Sequence, residues 1–393
     1  MNEDLKILIV DDNKENLKVV SNFLKELHYK IALATDGKSA IEILKVHTID
    51  LILLDVMMPD IEGYEVCRII KKEDKWKEIP IIFLTAKVET DNIVEGFQAG
   101  GVDYILKPFK KEELFARVKT HLELSMSKKK IMQQAQEINN INRKILSSID
   151  FAVNIQNEML PSIQNFKLHH PDSFLVYKPK DHLSGDFYWF TEFQQQTCIV
   201  LADCTGHGIP GALISIMAIT LLNRMPHNTF LSNPAAVLQY MRLNSLKMLK
   251  QDPDSPRLLD SFEMACIVLE PQKGVVYYAG AGIGVTKISD MLEVETIKHD
   301  NYIFNDTNKE KPFKNITFCC NPGDNYYLYT DGLTDMFQPN FKNKYTENRF
   351  INFLKEINHT SANEKKVFIH SEINNWHGSG SQIDDITVFG IKV

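Results

Sequence analysis

The N-terminal part of the chain alternates short apolar runs with amphipathic stretches. Five runs rich in Ile, Leu and Val occur between residues 5 and 122: LKILIVDD, KIALAT, IDLILLDVMMP, IPIIFLTA and VDYILKPF. A stretch of helical period follows each run. Nearly continuous apolar strands separated by helices are typical of a parallel sheet covered on both faces. We therefore predict a five-stranded, doubly wound α/β domain over residues 1–122.

The next segment has the pattern of one long helix. From Glu112 to about Leu160 there is no Gly or Pro. Apolar residues recur every seven positions, at Leu124, Ile131, Ile138, Ile145, Ala152 and Met159. The positions three further on are mixed, namely Ser127, Gln134, Ile141, Ser148 and Ile155. This pattern predicts a helical linker over residues 123–160 that forms a weak two-stranded coiled coil and ends at Pro161. A single solvated helix packed on the next domain is the alternative.

Beyond Pro161 the pattern changes from alternating strands and helices to strands in groups. Strands are predicted at Phe174–Lys178, Thr197–Asp203, Phe262–Leu269, Gly274–Ala279, Ile316–Cys320, Asn325–Asp331 and Ile386–Val393. Helices are predicted at Gly211–Asn223, Pro234–Lys250 and Ala362–Trp376. Grouped strands and helices indicate an α+β domain over residues 161–393, with antiparallel sheets in a sandwich flanked by helices.

Length and composition narrow the class of protein. A chain of 393 residues should hold two or three domains, since a single core stops growing at about 250–300 residues. The net charge of −7 gives no electrostatic case for nucleic acid as a partner. The uncharged stretch Gly208–Asn223, which contains Pro210, is shorter than the roughly 20 residues of a membrane span. With no signal-peptide pattern at the N-terminus, we expect a cytoplasmic protein without membrane segments. Six cysteines without CxxC spacing argue against a zinc site and a disulfide framework.

Five polar residues stand at the ends of the predicted parallel strands: Asp11, Asp12, Asp55, Thr85 and Lys107. The carboxyl ends of such strands meet at one edge of the sheet, so these side chains should gather there. Clustered acids suit a hard cation such as Mg²⁺. Asp55 can attack a phosphoryl group while Lys107 neutralises its oxygens, and Thr85 can bond the new phosphate. Strand-end capping alone would be the simpler interpretation.

This first domain closely resembles the receiver domains of response regulators. The resemblance implies that Asp11 and Asp12 hold Mg²⁺ and that Asp55 is the phosphoacceptor of an upstream histidine kinase. It also implies that Lys107 contacts the phosphoryl group and that Tyr104 is the aromatic switch residue. No departure from the pattern indicates an inactive receiver.

A second group of acids lies beside the strands of the C-terminal domain. The four are Asp186 in LSGDFYW, Asp203 in VLADCTGHGIPGAL, Asp331 in YLYTDGLTD and Asp384 in QIDDITVFGIKV. An acid at the mouth of a buried strand is costly to desolvate unless it is paired, and a divalent cation suits several such acids. Any one of them alone could equally cap a turn. Oxygen ligands favour Mg²⁺ or Mn²⁺ over zinc.

In their order along the chain, these motifs resemble the SpoIIE/RsbU branch of the metal-dependent (type 2C) protein phosphatases, over roughly residues 150–393. The resemblance implies two Mn²⁺ or Mg²⁺ ions held by Asp186, Asp203, the Cys204 carbonyl, Asp331 and Asp384. Asp203 would bridge the two ions. Such a pair can activate a water for phosphoester hydrolysis without a protein nucleophile.

Several positions near these motifs stay open at the level of sequence. Asp385 adjoins Asp384, and sequence alone does not settle which of the two points inward. His207, in the GHG turn, is a candidate general acid or a structural hydrogen-bonding residue. Many relatives have an acid where this chain has Trp189, so the second metal is expected to be held more loosely if that acid contributes to binding.

Together the two resemblances imply a two-component response regulator whose output is dephosphorylation of phosphoserine or phosphothreonine on a partner protein, often an anti-sigma-factor antagonist. Phosphorylation of Asp55 would control this output, and a homodimer would form through the receiver and the linker helix. The competing hypothesis is a non-catalytic signalling scaffold whose C-terminal domain binds a partner protein. Four retained acids argue against the scaffold.

Overall fold

The structure is a computed structural model that describes residues 5–86, 90–204, 206, 208–249, 262–298, 312–339, 343–378, 380 and 382–393. The chain divides into two compact units, Met1–Arg143 and Lys144–Val393. Within the described ranges, no helix combines the length and the apolarity that a bilayer crossing requires.

The first unit contains a five-stranded parallel sheet in the order β2-β1-β3-β4-β5. Its strands are β1 (Lys6–Val10), β2 (Lys30–Ala34), β3 (Leu51–Asp55), β4 (Ile81–Thr85) and β5 (Asp103–Leu106). Its helices are α1 (Lys14–Lys25), α2 (Gly37–Val46), α3 (Gly63–Lys72), α4 (Thr90–Gln98) and the first part of α5 (Lys111–Met159). The predicted doubly wound α/β domain is confirmed.

Burial on both faces explains why the strands of this sheet are apolar without alternation. In β1, Leu8 and Val10 belong to one core cluster, whereas Ile7 and Ile9 belong to another. Successive side chains of a strand point to opposite faces, so the two clusters cover the two faces of the sheet. The carboxyl ends of the strands are thereby held at one buried edge.

Helix α5 is 49 residues long and has no break between Lys111 and Met159. This confirms the predicted long helix, which ends two residues before Pro161. Four apolar residues of its seven-residue repeat are more than half exposed: Leu124, Ile131, Ile138 and Ile145. Met159, in contrast, packs against a core cluster of the second unit. Pairing of two such helices stays a prediction.

The second unit contains two antiparallel sheets, in the orders β13-β10-β9-β8-β7 and β12-β11-β14-β15-β6. The strands are β6 (Ser173–Lys178), β7 (Phe187–Phe193), β8 (Gln196–Cys204), β9 (Phe262–Glu270), β10 (Val275–Ala281), β11 (Val285–Ile288), β12 (Val294–Ile297), β13 (Ile316–Cys319), β14 (Asn325–Tyr329) and β15 (Ile386–Lys392). The helices are α6 (Ile163–His169), α7 (Ile209–Arg224), α8 (Pro234–Met248), α9 (Asp331–Thr334), α10 (Glu347–Glu356) and α11 (Ala362–His377).

Three apolar layers hold this unit together. One core lies between the two sheets and joins residues such as Leu201 and Ile267 to Leu328 and Phe389. A second core covers the outer face of the first sheet with α7 and α8. A third covers the outer face of the second sheet with α9, α10 and α11. The predicted sandwich flanked by helices is confirmed.

The predicted strands and helices of this unit agree with the observed ones to within two residues at each end. The predicted last residue of α8, Lys250, lies outside the described residues. The structure adds elements that the pattern did not predict: strands β7, β11 and β12, and helices α6, α9 and α10.

Candidate functional site

The first candidate site lies at the carboxyl edge of the parallel sheet. Asp11 follows β1, Asp55 is the last residue of β3, and Asp12 adjoins Asp11. Each of the three offers a carboxylate oxygen, and these oxygens lie within 4.8 Å of one another. Asp11 and Asp55 are buried, whereas Asp12 is exposed. A hard cation approaching from the solvent side would therefore meet oxygen ligands only, which is the set that Mg²⁺ prefers.

Lys107, just beyond β5, reaches across this edge. Its Nζ donates to Asp11 Oδ2 at 2.8 Å and to Asp55 Oδ2 at 2.7 Å. Burial raises the pKa of Asp55, and the hydrogen bond and charge of Lys107 oppose that rise. Burial by itself would lower the pKa of Lys107, but its bonds to the two acids raise it above its usual value. The lysine thus stays charged beside the carboxylate that would receive a phosphoryl group.

Thr85 and Tyr104 lie near this edge on neighbouring strands. Thr85 ends β4 and is buried, and its carbonyl accepts a hydrogen bond from the Lys107 N–H at 2.8 Å. Thr85 and Tyr104 also line one small cavity together with Tyr64, Phe83 and other residues. The geometry places all five strand-end residues of the first candidate site at one edge, with Tyr104 close by.

The second candidate site lies at one end of the β-sandwich. In the first sheet, Phe187 pairs with Ala202, so Asp186 before β7 and Asp203 near the end of β8 stand at the same end. In the second sheet, Tyr329 pairs with Val388, which brings Asp331 after β14 close to Asp384 before β15. Antiparallel pairing therefore collects acids that are far apart in sequence.

These acids perturb one another strongly. Burial raises the pKa of Asp203 well above the usual range, and the charges of Asp186, Asp331 and Asp384 add to the rise. Burial also raises the pKa of Asp331, although a hydrogen bond with Asp203 opposes it. Like charges gathered in a buried space cannot all ionise without a counter-charge. A bound cation supplies that charge, so these residues fit a metal site.

The spacing of the acids differs between the two sites. Among the residues that the structure describes, only the cluster of the first site brings three carboxylates within 4.8 Å of one another. The acids of the second site are spread more widely around the Asp203–Asp331 contact.

Asp186 is the most tightly held of these acids. It is fully buried, and its Oδ2 accepts hydrogen bonds from Thr330 Oγ1 at 2.8 Å and from Thr387 Oγ1 at 2.6 Å. Its Oδ1 is equally buried and has no hydrogen-bond partner in the described part of the chain. A buried carboxylate oxygen without a partner is costly. A cation bound at Oδ1 would remove that cost.

The adjacent acids Asp384 and Asp385 make different contacts in the structure. Asp385 Oδ1 accepts from the Lys180 N–H and Oδ2 from the Gly185 N–H, both at 2.7 Å. The charge of Asp384 raises the pKa of Asp203 and of Asp331, whereas the charge of Asp385 raises that of Asp186. Asp384 therefore faces the acidic site, while both oxygens of Asp385 hold the loop that leads to Asp186.

The loop after Asp203 approaches Asp186 closely. A side chain at Gly185 would place its Cβ 2.8 Å from the Cys204 carbonyl oxygen and 2.9 Å from that of Gly206. Gly206 and Gly208 have positive φ angles of 90° and 72°, which glycine adopts without strain. The Cys204 carbonyl thus lies next to the Asp186 segment. His207, the candidate general acid, lies outside the described residues.

Trp189 points away from the acids. It is buried in the core between the first sheet and α7, and its Nε1 donates to Asn223 Oδ1 at 2.8 Å. In this chain, residue 189 therefore contributes to core packing. Sequence reasoning also missed Thr330, which directly precedes Asp331 in YTDG, and Thr387, which follows Asp385 by two residues in DDIT. A hydroxyl within two residues of an acid at the end of a buried strand was the signal for them.

Comparison with known proteins identifies both units. The family described as response regulator receiver domain matches residues 7–119, and the family described as Stage II sporulation protein E (SpoIIE) matches residues 194–393. The structure is similar to the SiaA-PP2C domain of Pseudomonas aeruginosa, with a TM-score of 0.59 and 26% sequence identity. That similarity covers 64% of this chain and 98% of the SiaA domain.

Two curated relatives share part of the chain. A probable cyclic di-GMP phosphodiesterase of Vibrio cholerae is 44% identical over 135 residues, which are 34% of this chain and 30% of the relative. A probable transcriptional regulator, ycf27, of Cyanidium caldarium is 44% identical over 116 residues, which are 30% of this chain and 45% of the relative. The chain thus spans less than half the length of these relatives. Both resemblances seen in the sequence are confirmed: the chain belongs to the SpoIIE family and carries a response regulator receiver domain.

Proposed function

We propose that this protein is a response regulator whose SpoIIE domain removes phosphate from phosphoserine or phosphothreonine on a partner protein. The observation that carries the proposal is the buried, unpartnered Oδ1 of Asp186, which lies among acids that raise the pKa of Asp203. A catalytic metal site explains both features. We assign residues 1–122 to the receiver, 123–160 to the linker and 161–393 to the phosphatase domain.

Four acids and one carbonyl would hold two Mn²⁺ or Mg²⁺ ions: Asp186, Asp203, Cys204 through its carbonyl oxygen, Asp331 and Asp384. Bound there, the ions supply Lewis acidity toward the phosphoryl oxygens and make a water nucleophilic at neutral pH. The chain itself orients the site. Thr330 and Thr387 fix the Asp186 carboxylate, and Asp385 fixes the loop before it.

The receiver would control this activity through Asp55. A carboxylate oxygen of Asp55 attacks the phosphoryl group of a phosphorylated histidine kinase, and the histidine nitrogen leaves. Asp11 and Asp12 would hold Mg²⁺ beside the new phosphate, Lys107 would balance its charge, and Thr85 would donate to it. An added charge of about −1.5 to −2 at this edge can bias a two-state loop.

The partners follow from the same proposal. The upstream partner is a histidine kinase, and the substrate is a phosphoprotein such as an anti-sigma-factor antagonist. The exposed apolar repeat of α5 supports a homodimer through the receiver and linker helix, because a second copy of the helix would cover Leu124, Ile131, Ile138 and Ile145.

Phosphate release by the purified full-length protein tests the proposal. We expect hydrolysis of an aryl phosphate and of phosphothreonine peptides with Mn²⁺ or Mg²⁺, and none in EDTA. Asp203→Asn should reduce the rate by at least ~10²-fold, since metal-ion catalysis supplies several kcal/mol. Asp172→Asn, at an exposed acid, is the control and should leave the rate unchanged. Full activity in EDTA would refute the metal-dependent mechanism, whereas no phosphate release with Mn²⁺ or Mg²⁺ would favour a non-catalytic scaffold.

A further inference from the structure

Gln156 is a buried polar residue on an otherwise exposed stretch of helix. It lies in the last turn of α5 and is only 3% exposed, while its neighbours Ile155 and Asn157 are exposed. Burial of a primary amide is costly unless its donor and acceptor groups are paired. The partners of Gln156 therefore show what this residue does.

The Gln156 side chain forms hydrogen bonds with both main-chain polar groups of Ser184. Its Nε2 donates to the Ser184 carbonyl oxygen at 2.7 Å, and its Oε1 accepts from the Ser184 N–H at 3.2 Å. The same Nε2 also lies 2.8 Å from Ser215 Oγ on α7. One amide thus ties the end of α5 to two segments: the loop that leads to Asp186, and the helix that follows the Asp203 loop.

Ser184 is two residues from Asp186, and the residue between them, Gly185, is held in place by close contacts. Gly185 donates its N–H to Asp385 Oδ2 at 2.7 Å, and its Cα faces the Cys204 carbonyl so closely that a Cβ would lie 2.8 Å from that oxygen. A displacement of Ser184 would therefore move the Asp186 main chain. It would also disturb the approach of the Cys204 carbonyl to this segment.

The remaining contacts of Asp186 do not reach the main chain of Ser184. Tyr177 Oη donates to the carbonyl oxygen of Asp186 itself, at 3.1 Å. Thr330 and Thr387 bind its Oδ2 and set the direction of the carboxylate, but neither contacts the main chain of the loop. Asp385 holds the loop only through the N–H groups of Lys180 and Gly185. The Ser184 N–H donates to Gln156, and the Ser184 carbonyl accepts from Gln156 Nε2 at 2.7 Å and from Ser215 Oγ at the longer distance of 3.5 Å.

We propose that Gln156 is a positioning residue for the metal site: by fixing the Ser184 main chain it sets the place of Asp186, so the seating of the last turn of α5 determines metal affinity. The inference rests on the proposed metal-dependent activity and names the residue through which the linker helix acts on that site. Contacts that orient a metal ligand typically contribute 10–100-fold in affinity or activity.

The test uses Gln156→Met in the full-length protein, because Met has a similar length and cannot form these hydrogen bonds. Gln156→Asn, one methylene shorter, is the milder second variant. Asn157→Met is the matched control, since it makes the same kind of change at an exposed neighbour. Mn²⁺ affinity is measured from the electron paramagnetic resonance signal of free Mn²⁺. The part of the total Mn²⁺ binding that Asp203→Asn removes is assigned to the second candidate site. Phosphate release is measured against Mn²⁺ concentration, and thermal melting monitors the fold.

We expect Gln156→Met to weaken Mn²⁺ binding at this site by about 10-fold. The half-saturating Mn²⁺ concentration should rise in parallel, while saturating Mn²⁺ restores most of the wild-type rate. The Asn157→Met control should behave as wild type. If Gln156→Met does not fold, Gln156→Asn is judged by the same criteria.

Two results would overturn the inference in different ways. If the wild type binds Mn²⁺ and releases phosphate, but Gln156→Met has wild-type affinity or only a lower melting temperature and maximal rate, Gln156 is merely structural. If Asp203→Asn removes no Mn²⁺ binding from the wild type, the proposed function itself fails and this inference fails with it.

Discussion

At the scale of single residues, hydrogen-bond partners distinguish acids that the sequence leaves equivalent. Asp384 and Asp385 are adjacent, yet both oxygens of Asp385 accept main-chain N–H groups, while Asp384 acts on Asp203 and Asp331 through its charge. Sequence predicted that one or both lie at the site, because each precedes a strand. It could not predict the division, which depends on the loop at Lys180 and Gly185, about 200 residues away in sequence.

We therefore predict opposite effects for two matched substitutions. Asp385→Asn turns one oxygen into an NH₂ group that faces a main-chain N–H, so it should lower the free energy of unfolding by about 1–3 kcal/mol. Asp384→Asn removes a charge that like charges already oppose, and it should weaken Mn²⁺ binding with little loss of stability. Urea unfolding without metal and Mn²⁺ titration measure the two effects. Equal profiles for the two variants would contradict the division of roles.

The first site yields a prediction for Asp55. Acetyl phosphate should modify the protein at Asp55, because this carboxylate lies 2.7 Å from Lys107 Nζ within the cluster suited to Mg²⁺. Asp55→Asn should abolish the modification. Asp60→Asn, at an exposed acid nearby, is the control and should be labelled like the wild type. Intact-mass measurement after incubation with acetyl phosphate and Mg²⁺ reads the stoichiometry. Undiminished labelling of Asp55→Asn would show that another residue is the acceptor.

At the scale of elements, strands and helices with a regular apolar pattern were predictable, and short strands that depend on cross-strand pairing were not. The five parallel strands, α5 and the long strands of the sandwich other than the seven-residue β7 were predicted, because burial gives each a continuous or regular apolar pattern. Strands β11 and β12 have only four residues each, VTKI and VETI, and they exist through their cross-strand pairing. Helix α10 carried a usable signal that was missed, since Phe350, Leu354 and Ile357 follow helical spacing and are buried.

Helix α11 shows how an element can bury a charge. It starts with a capping box between Ser361 and Glu364, and the next residue, Lys365, is 3% exposed. Lys365 Nζ donates to Asn325 Oδ1 at 2.6 Å and lies 6.0 Å from the centroid of the Tyr327 ring. Burial lowers the pKa of Lys365 from 10.5 to about 8. The charged form is therefore disfavoured in the folded state.

The sign of the resulting pH dependence follows from linkage. Between about pH 8 and 10.5 the unfolded chain binds more of this proton than the folded one, so the Lys365 contribution to stability increases with pH. Below pH 8 the cost of burying the charge is fully present. We predict that wild type gains stability over Lys365→Met as pH rises from 7 to about 9.5. Urea unfolding at several pH values measures the difference. Lys366→Met, at an exposed neighbour, should show no such trend, and a pH-independent difference for Lys365→Met would contradict the argument.

At the scale of the whole molecule, the sequence revealed the two sites better than what lies between them. Both sites consist of acids at strand ends, and the predicted strands indicated where those acids would gather. Gln156 gave no such signal, because a polar residue one position after Ile155 reads as the solvated face of a linker helix. Its role depends on Ser184 and Ser215, which only the folded second unit brings to it.

The last prediction concerns transmission through α5, which runs unbroken from Lys111 to Met159. Its apolar repeat has a half-polar seam with Ser127, Gln134 and Ser148, so pairing of two such helices should be weak and adjustable. Phosphorylation of Asp55 could then decide whether the pair closes or in which register it packs. If this pairing carries the signal, the phase of the helix matters more than its length.

Insertions near Asn140 separate phase from length. Seven added residues lengthen the helix by about 10 Å but keep the apolar stripe nearly in phase. Four added residues lengthen it by only about 6 Å, yet they rotate the downstream helix by roughly 40–50° relative to the repeat. We expect the ratio of phosphate release with and without beryllofluoride to survive the insertion of seven and to be lost with the insertion of four. A larger loss with seven would indicate that length governs the signal, and equal regulation in both variants would mean that the helix is only a tether.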